Sequence, residues 1–197
     1  LRTNLIFSSI EKPIHTLLVT SAADADDKSA TLANLAVTFA QSGHKTIVVD
    51  SDLRRPSLHT FWNADNTRGL TTMMAEPAQM ANPPLVETGI ENLLLLPSGP
   101  QPAVPADLLT SQRMSEVIGV LKARADYVLF DSPPVLAASD AALLGVKLDG
   151  LLLVVRAGGT RRDHVQRARQ TLERLHVRLV GSVLLNAPRE SAATTYR

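Results

Sequence analysis

The sequence predicts an α/β fold in which a doubly wound, mostly parallel sheet is covered by helices on both faces. Six short apolar runs, rich in Leu, Val and Ile, alternate with amphipathic stretches along the 197 residues. Runs that are apolar throughout are typical of parallel strands buried on both sides. Strand–helix alternation indicates a doubly wound sheet, and the length suits one domain with a sizeable core.

The apolar runs define six predicted strands. They are Thr16–Thr20, Thr46–Asp50, Asn92–Leu96, Tyr127–Asp131, Leu151–Val155 and Val180–Asn186. Two proline-rich stretches, Glu76–Glu87 and Pro97–Pro105, are predicted to be surface connections because proline cannot continue a helix or an inner strand. Around this single domain, which spans residues 1–197, we expect an N-terminal helix or arm at 1–15 and a C-terminal tail at 187–197.

Two apolar stripes with helical spacing predict helices between the strands. The first stripe consists of Leu32, Leu35, Ala36 and Phe39. The second consists of Val165, Ala168, Leu172 and Leu175. Gly43 follows the first stripe and is predicted to end that helix. Arginines lie mostly off the second stripe, which favours a solvated surface there.

The composition excludes several classes of site. The chain has no cysteine, which excludes disulfides, thiolate zinc sites and cysteine-bound iron–sulfur clusters. It has no apolar run near the roughly 20 residues that span a bilayer. Because the chain opens on Leu1, we expect it to be part of a longer protein, with any membrane anchor outside it.

A phosphate loop is predicted where the first strand leads into the first helix. Lys28 and Ser29 stand at the start of that helix. In such a loop the helix amides bind phosphate, the lysine reaches the outer phosphates and the serine hydroxyl holds magnesium. Both glycines of the G-x-x-x-x-G-K-[ST] pattern are missing, so a polar turn with an acidic N-terminal cap is an equal interpretation of this segment.

Three acids at strand ends strengthen the phosphate interpretation. Asp50 and Asp52 follow one buried strand, and strand alternation points both toward the crevice where such sheets bind ligands. Paired carboxylates there can hold magnesium or accept a proton from an attacking hydroxyl. Asp131 ends another apolar strand, the usual place of the acid that supports magnesium in phosphate-loop enzymes.

With these motifs, the chain resembles the bacterial tyrosine kinases of polysaccharide co-polymerases almost end to end. These are P-loop NTPases of the deviant Walker type. Residues 50–56 (DSDLRRP) are similar to the family's second Walker motif, and residues 129–134 (LFDSPP) to its Walker B motif. Leu1–Leu5 resembles the end of its N-terminal oligomerisation motif. The resemblance implies an ATP–magnesium site shared between subunits, which phosphorylates C-terminal tyrosines and controls capsule or exopolysaccharide length or export.

The resemblance also implies a role for each matching residue. The nucleotide-binding residues would be Lys28, Ser29, Ala30, Arg54 and Asn186. The metal-binding residues would be Ser29, Asp50 and Asp131, and the catalytic ones Asp50, Asp52 and Lys28. Tyr196 would be a phosphoacceptor, while a turn before Pro188 is an equal interpretation of Asn186.

The partners implied by the resemblance are other copies of the chain and a membrane segment. We expect a ring-like homo-oligomer, a membrane-embedded co-polymerase segment as partner, and no nucleic acid. The domain would then be cytoplasmic, at the inner face of the cell membrane, held by a segment or partner outside this chain.

The loop departs from the family, whose sequence is roughly Pro-Gly-Glu-Gly-Lys-Ser-Thr. Here Asp24, Asp26 and Asp27 bring negative charge toward a polyphosphate. Two charges ~4 Å apart at an effective dielectric of ~20 interact by about 4 kcal/mol, so these acids are predicted to weaken ATP–Mg²⁺ binding. Pairing of Lys28 with these acids is an expected alternative to phosphate contact.

Two other functions compete with the kinase interpretation. A catalytically disabled pseudokinase would act as an interaction module, which the acidic loop favours. A partition- or septum-positioning ATPase would typically carry a second lysine early in its loop, and Ala22–Ala25 offers none. The absence of cysteine excludes an iron-protein reductase of the same superfamily. Phe61 and Trp62 are predicted to fill the core, and packing on the nucleotide or on a neighbouring subunit is the alternative.

Overall fold

The structure, a computed structural model, describes residues 1–8, 11–24 and 27–187. The strands are β1 (Thr16–Ser21), β2 (Thr46–Asp50), β3 (Val86–Glu87), β4 (Leu93–Leu96), β5 (Tyr127–Asp131), β6 (Gly150–Arg156) and β7 (Leu179–Leu185). The helices are α1 (Arg2–Ser8), α2 (Lys28–Ala40), α3 (Leu58–Phe61), α4 (Leu70–Ala75), α5 (Pro77–Ala81), α6 (Pro105–Thr110), α7 (Gln112–Lys122), α8 (Asp140–Gly145) and α9 (Arg162–Arg174).

These strands form one sheet in the order β3-β4-β2-β5-β1-β6-β7. Every neighbouring pair is parallel except β3 and β4, which are antiparallel. The doubly wound, mostly parallel sheet is therefore confirmed, and each of the six predicted strands is present within a residue or two of its predicted bounds.

The prediction for the proline-rich stretch Glu76–Glu87 was wrong. It contains helix α5 and the two-residue edge strand β3. Pro77 occupies the first turn of α5, where a missing N–H costs no helical hydrogen bond. A two-residue strand is too short to show a hydrophobic period, so β3 could not be predicted from the sequence pattern.

The sheet separates two apolar cores because strand side chains alternate between its faces. In β1, Leu17 and Val19 pack into the core that α1, α2 and α3 cover, whereas Leu18 packs into the opposite core. That second core is covered by α4 and by α6 to α9. Leu17, Leu18 and Val19 are all at most 2% exposed, as expected of an inner parallel strand.

Both predicted helices form, with one error. The whole first stripe is buried in α2, and Gly43 takes a left-handed conformation, φ 88°, just past the helix end. Ala168 and Leu172 of the second stripe are buried in α9. Leu175 lies outside α9 and is 45% exposed, because the chain turns at His176, φ 57°, into β7.

Among the helices that the structure describes, none is long and apolar enough to cross a bilayer.

The close approach of Gly69 to the chain after β4 yields a stability prediction. A Cβ at Gly69 would lie 2.1 Å from the Pro97 carbonyl oxygen and 2.6 Å from the Gly99 nitrogen. Gly69→Ala is therefore expected to lower the free energy of unfolding by about 1–3 kcal/mol, measured by urea denaturation. Gly119→Ala is the control: Gly119 lies on the exposed face of α7 and a Cβ there meets nothing within 4 Å, so stability should be unchanged or rise by up to about 1 kcal/mol. Equal effects of the two substitutions would contradict the packing at Gly69.

Candidate phosphate-binding site

The predicted loop and acids meet at the carboxyl edge of the sheet, because β2, β5 and β1 are parallel neighbours. Asp50, which ends β2, is in register with Asp131, which ends β5. Asp131 is also in register with Val19 of β1, close to where β1 leads into the predicted phosphate loop. The edge is where ligands bind in open α/β sheets.

Lys28 is the centre of a buried network at this edge. Its Nζ lies 3.1 Å from Asp52 Oδ2 and 3.3 Å from each carboxylate oxygen of Asp131. It also lies 3.2 Å from the hydroxyl of Ser29, which itself donates to Asp131. The side chains of Lys28, Asp52 and Asp131 are only 14%, 6% and 0% exposed. The structure thus brings together four of the predicted site residues.

The network is dominated by negative charge. Burial alone would lower the pKa of Lys28, but Asp131 and Asp52 outweigh it and raise that pKa above its ordinary value. Burial raises the pKa of Asp131, against the opposing effect of the Lys28 charge. Asp50, whose pKa is raised by burial and in part by the charge of Asp131, adds a third acid at this edge. Such a site favours an added cation.

Only one of the two carboxylate oxygens of Asp50 accepts hydrogen bonds. Its Oδ2 accepts hydrogen bonds of 2.9 Å from the backbone N–H groups of Ser57 and Leu58, at the start of α3. Its Oδ1 is buried and has no hydrogen-bond partner. Burial, followed by the negative charge of Asp131, raises the pKa of Asp50 to about 7. Asp50 therefore both fixes the turn after β2 and presents a free oxygen next to the network.

The loop acids do not pair with Lys28 where the structure describes them, contrary to one expectation. Asp27 Oδ2 lies 3.5 Å from Arg156 Nη1, and Asp24 Oδ2 lies 3.9 Å from Arg55 Nη1. Lys28 is held instead by the strand-end acids, which lie deeper. The third loop acid, Asp26, is outside the described residues.

The backbone at Asp27 keeps a conformation that glycine adopts most easily. Asp27 has φ 51° and ψ 33° in the left-handed region, one residue before α2 begins. Aspartate is among the non-glycine residues that enter this region most readily. The missing glycine therefore has not prevented the turn into the helix.

A cavity of about 220 Å³ opens beside this network. Its lining residues are Ser21, Asp24, Asp27, Lys28, Ser29, Ala30, Phe61 and Pro134. Phe61 is 47% exposed, so the prediction that it fills the core was wrong, whereas Trp62 does pack against the core on the α2 face. The four-residue helix α3 buries Leu58 and leaves the Phe61 ring at the cavity.

Three other predicted residues stand apart from the network. Arg54 forms a two-pronged ion pair with buried Asp140, at 2.8 and 3.0 Å, so its guanidinium is already engaged. Asn186 is exposed in a left-handed turn, φ 54°, after β7. Tyr196 lies outside the described residues. Their nucleotide and acceptor roles stay predictions.

Sequence reasoning missed the partners of the arginines. Neither Asp140 with Arg54 nor Arg156 with Asp27 was expected, because each pair joins residues more than 80 positions apart. The available signal was weak: Arg156 continues an apolar strand, as Asp50 and Asp131 do, and so had to emerge at the same edge.

Similarity to known proteins identifies the family of this chain. The family model ParA, described as NUBPL iron-transfer P-loop NTPase, matches residues 13–187. The fold, with its lysine–serine pair at the start of α2, is that of a P-loop NTPase. The chain is 38% identical to the tyrosine-protein kinase YwqD of Bacillus subtilis over 184 residues, 93% of this chain and 77% of that protein.

Two further proteins match nearly the whole chain at more than 30% identity. The tyrosine-protein kinase CpsD of Streptococcus agalactiae is 34% identical over 195 residues, covering 98% of this chain and 83% of the relative. The kinase domain of the Escherichia coli tyrosine kinase ETK superposes with a TM-score of 0.88 at 31% identity, covering 99% of this chain and 76% of that one. The chain belongs to the bacterial tyrosine-protein kinase family.

A septum site-determining protein, MinD of Pyrococcus horikoshii, matches less closely. Its TM-score is 0.72 at 22% identity, over 90% of this chain and 75% of that one. A likeness at this level shows the shared fold alone.

The raised pKa of Asp50 predicts an unusual pH dependence of stability. The folded chain keeps a proton on Asp50 up to about pH 7, whereas the unfolded chain loses it near pH 3.8. Stability from this group is therefore lost as pH rises from about 4 to 7, at up to about 1.4 kcal/mol per pH unit. Asparagine does not ionise, so Asp50→Asn removes this loss. From pH 4.5 to pH 8 the free energy of unfolding of the variant, measured by urea denaturation, should rise by about 2–4 kcal/mol relative to that of the unmodified chain.

Asp149→Asn is the matched control. Burial raises the pKa of Asp149, but hydrogen bonds from Thr16 and His15 outweigh it, and the net shift is downward. Its stabilisation is present above about pH 4 and lost below it. The control should therefore be destabilised by a constant amount between pH 4.5 and pH 8. A constant difference for Asp50→Asn as well would show that Asp50 is ionised throughout.

Proposed function

We propose that this chain is an ATP-dependent protein-tyrosine kinase domain that regulates capsular or exopolysaccharide biosynthesis and export. One observation carries the proposal: Lys28, Ser29, Asp52 and Asp131 form a single buried network at the carboxyl edge of the sheet. A lysine and a serine at a helix start, with acids on the neighbouring strands, are the parts that position a nucleotide's phosphates and magnesium.

The residues present fit magnesium. The hydroxyl of Ser29 is oriented by its bond to Asp131, as a magnesium-binding hydroxyl would need to be. The free Oδ1 of Asp50 supplies a buried oxygen without a partner. Among the described residues, no group of three or more His, Asp or Glu side chains could hold a metal ion without other ligands. Magnesium is commonly held by one or two protein oxygens plus phosphates and water, so this is the expected arrangement.

The loop also fits a nucleotide better than its sequence suggests. Asp27 holds the left-handed conformation that the loop needs before α2. Each of the two described loop acids lies near an arginine, which offsets part of its repulsion of phosphate. Because these pairs are largely exposed, the offset is modest, and we expect ATP binding to be weaker than in a glycine loop.

Each network residue has a proposed task. Lys28 would leave Asp52 and Asp131 to bind the outer phosphates, and Ser29 with Asp131 and Asp50 would hold magnesium. Magnesium, when bound, supplies charge neutralisation of the phosphates. Asp52, released from Lys28, would accept the proton of the attacking tyrosine hydroxyl. Ala30, at the cavity wall, would present its backbone N–H in the first turn of α2.

The wider assembly is also proposed. We infer a ring-like homo-oligomer, Tyr196 as an acceptor, and a cytoplasmic position at the membrane beside a polysaccharide co-polymerase segment. The names of the relatives YwqD, CpsD and ETK as tyrosine kinases support a tyrosine as the acceptor.

A pseudokinase is the second candidate, and one observation favours it. Lys28, which should reach phosphate, is already neutralised by two buried carboxylates. If no nucleotide displaces those contacts, the network would serve only to hold the edge of the sheet together. The domain would then act through assembly.

Calorimetric titration with ATP and Mg²⁺ separates the two candidates. The unmodified chain is expected to bind. Lys28→Met should lose roughly 10–100-fold in affinity, because a charged hydrogen bond to phosphate is removed. Lys12→Met, which changes an exposed lysine, is the control and should bind as the unmodified chain does. Equal affinities for all three proteins, or no binding by any, would contradict the proposed site.

Phosphate transfer to tyrosine tests the role of Asp52. Asp52→Asn should keep ATP affinity within a few-fold but lose at least about 100-fold in transfer rate, because general-base catalysis contributes 10²–10⁴-fold. Tyr196→Phe should lower the phosphate incorporated without changing ATP affinity. Mass spectrometry of the chain after incubation with ATP and Mg²⁺ measures both effects, and an unchanged rate in Asp52→Asn would refute its role as base.

A further inference from the structure

Asp27 stands where a helix cap is expected, yet it does not cap the helix. It is the N-cap residue of α2, and its side chain makes no capping hydrogen bond. An aspartate at this position ordinarily accepts from the first backbone N–H groups of the helix. Its carboxylate instead lies 3.5 Å from the guanidinium of Arg156. The Asp27 carboxylate therefore does not occupy the first backbone N–H groups of α2.

The fold directs Arg156 to the start of α2. Strand β6 pairs with β1 so that Val154 is opposite Ser21. Arg156 lies two residues beyond Val154 and therefore projects from the same face of the sheet, the face that α2 covers. Its backbone N–H bonds to the Thr160 hydroxyl at 2.8 Å, and its stem passes close to Gly159.

We propose that Arg156 is a phosphate-binding specificity residue and that the Asp27 carboxylate is its internal competitor. This inference rests on the proposed nucleotide function. With no nucleotide bound, Asp27 takes the place of a phosphate oxygen on the guanidinium. When ATP binds, Arg156 exchanges the carboxylate for phosphate.

The exchange replaces one anionic partner of the Arg156 guanidinium, a carboxylate, with another, a phosphate. A guanidinium recognises carboxylate and phosphate through the same planar pair of N–H donors. The contact to Asp27 is half exposed, so little free energy is needed to break it. The phosphates would lie over the first amides of α2, which Asp27 does not cap. A ligand must therefore compete with the Asp27 carboxylate for the Arg156 guanidinium. Only a ligand with several negative charges should displace that carboxylate and bind Arg156.

A simpler possibility predicts the opposite pattern. If Arg156 only neutralised Asp27 and never touched phosphate, removing Arg156 would matter while Asp27 is charged and would not matter once it is neutral. If Arg156 binds phosphate, removing it matters most once Asp27 no longer competes. The effect of Arg156→Met in the Asp27→Asn background therefore separates the two.

The test is a set of calorimetric titrations with ATP and Mg²⁺ on the full chain. Asp27→Asn is expected to tighten binding about tenfold, and asparagine tolerates the left-handed backbone at this position. Adding Arg156→Met to Asp27→Asn should weaken binding by about tenfold or more, 1.4 kcal/mol. No loss of affinity in that double variant would overturn the assignment of Arg156.

Two further measurements keep the outcomes apart. Arg174→Met removes an exposed arginine at the far end of α9 and should leave affinity unchanged in the Asp27→Asn background, which controls for net charge. Thermal unfolding should show all variants folded. If neither the folded unmodified chain nor folded Asp27→Asn binds ATP, the proposed nucleotide function fails and takes this inference with it.

Discussion

The ammonium group of Lys28 lies between two buried carboxylates, Asp52 and Asp131, which two strand ends bring to the same edge of the sheet. Asp131 is fully buried and Asp52 nearly so, and ionised carboxylates in such places are costly unless a cation lies beside them. The turn from β1 into α2 must therefore place Lys28 over β2 and β5. The network thus links the local structure of the phosphate loop to the stability of the whole edge.

The same charges connect folding with the proposed chemistry. Asp50, Asp52 and Asp131 outnumber the single cation, and the raised pKa of Asp50 reflects burial together with the negative charge nearby. Magnesium would complete the balance at the acids while the phosphates took over Lys28. The loop acids Asp24 and Asp27 lie near Arg55 and Arg156, which offset part of their negative charge.

Much of this arrangement could be predicted from the sequence, for identifiable reasons. The apolar runs located all six longer strands, and parallel strands must end at one edge, so Lys28, Asp52 and Asp131 had to be neighbours. Which acid meets which base could not be predicted. The pairs Lys28–Asp52, Arg54–Asp140 and Arg156–Asp27 depend on side-chain direction within a few ångströms, which spacing along the chain does not encode. The edge strand β3 and the exposure of Phe61 were missed because short elements lack a period.

A crystal structure of the chain with ADP and Mg²⁺ would show whether Lys28 exchanges its carboxylate partners for phosphate. We expect Lys28 Nζ to leave Asp52 and Asp131 for the β-phosphate, Ser29 to bind the metal, and the sheet edge to be otherwise unchanged. Lys28 remaining in contact with both carboxylates, with nucleotide absent or bound elsewhere, would contradict this expectation. The network would then be a structural element of a pseudokinase.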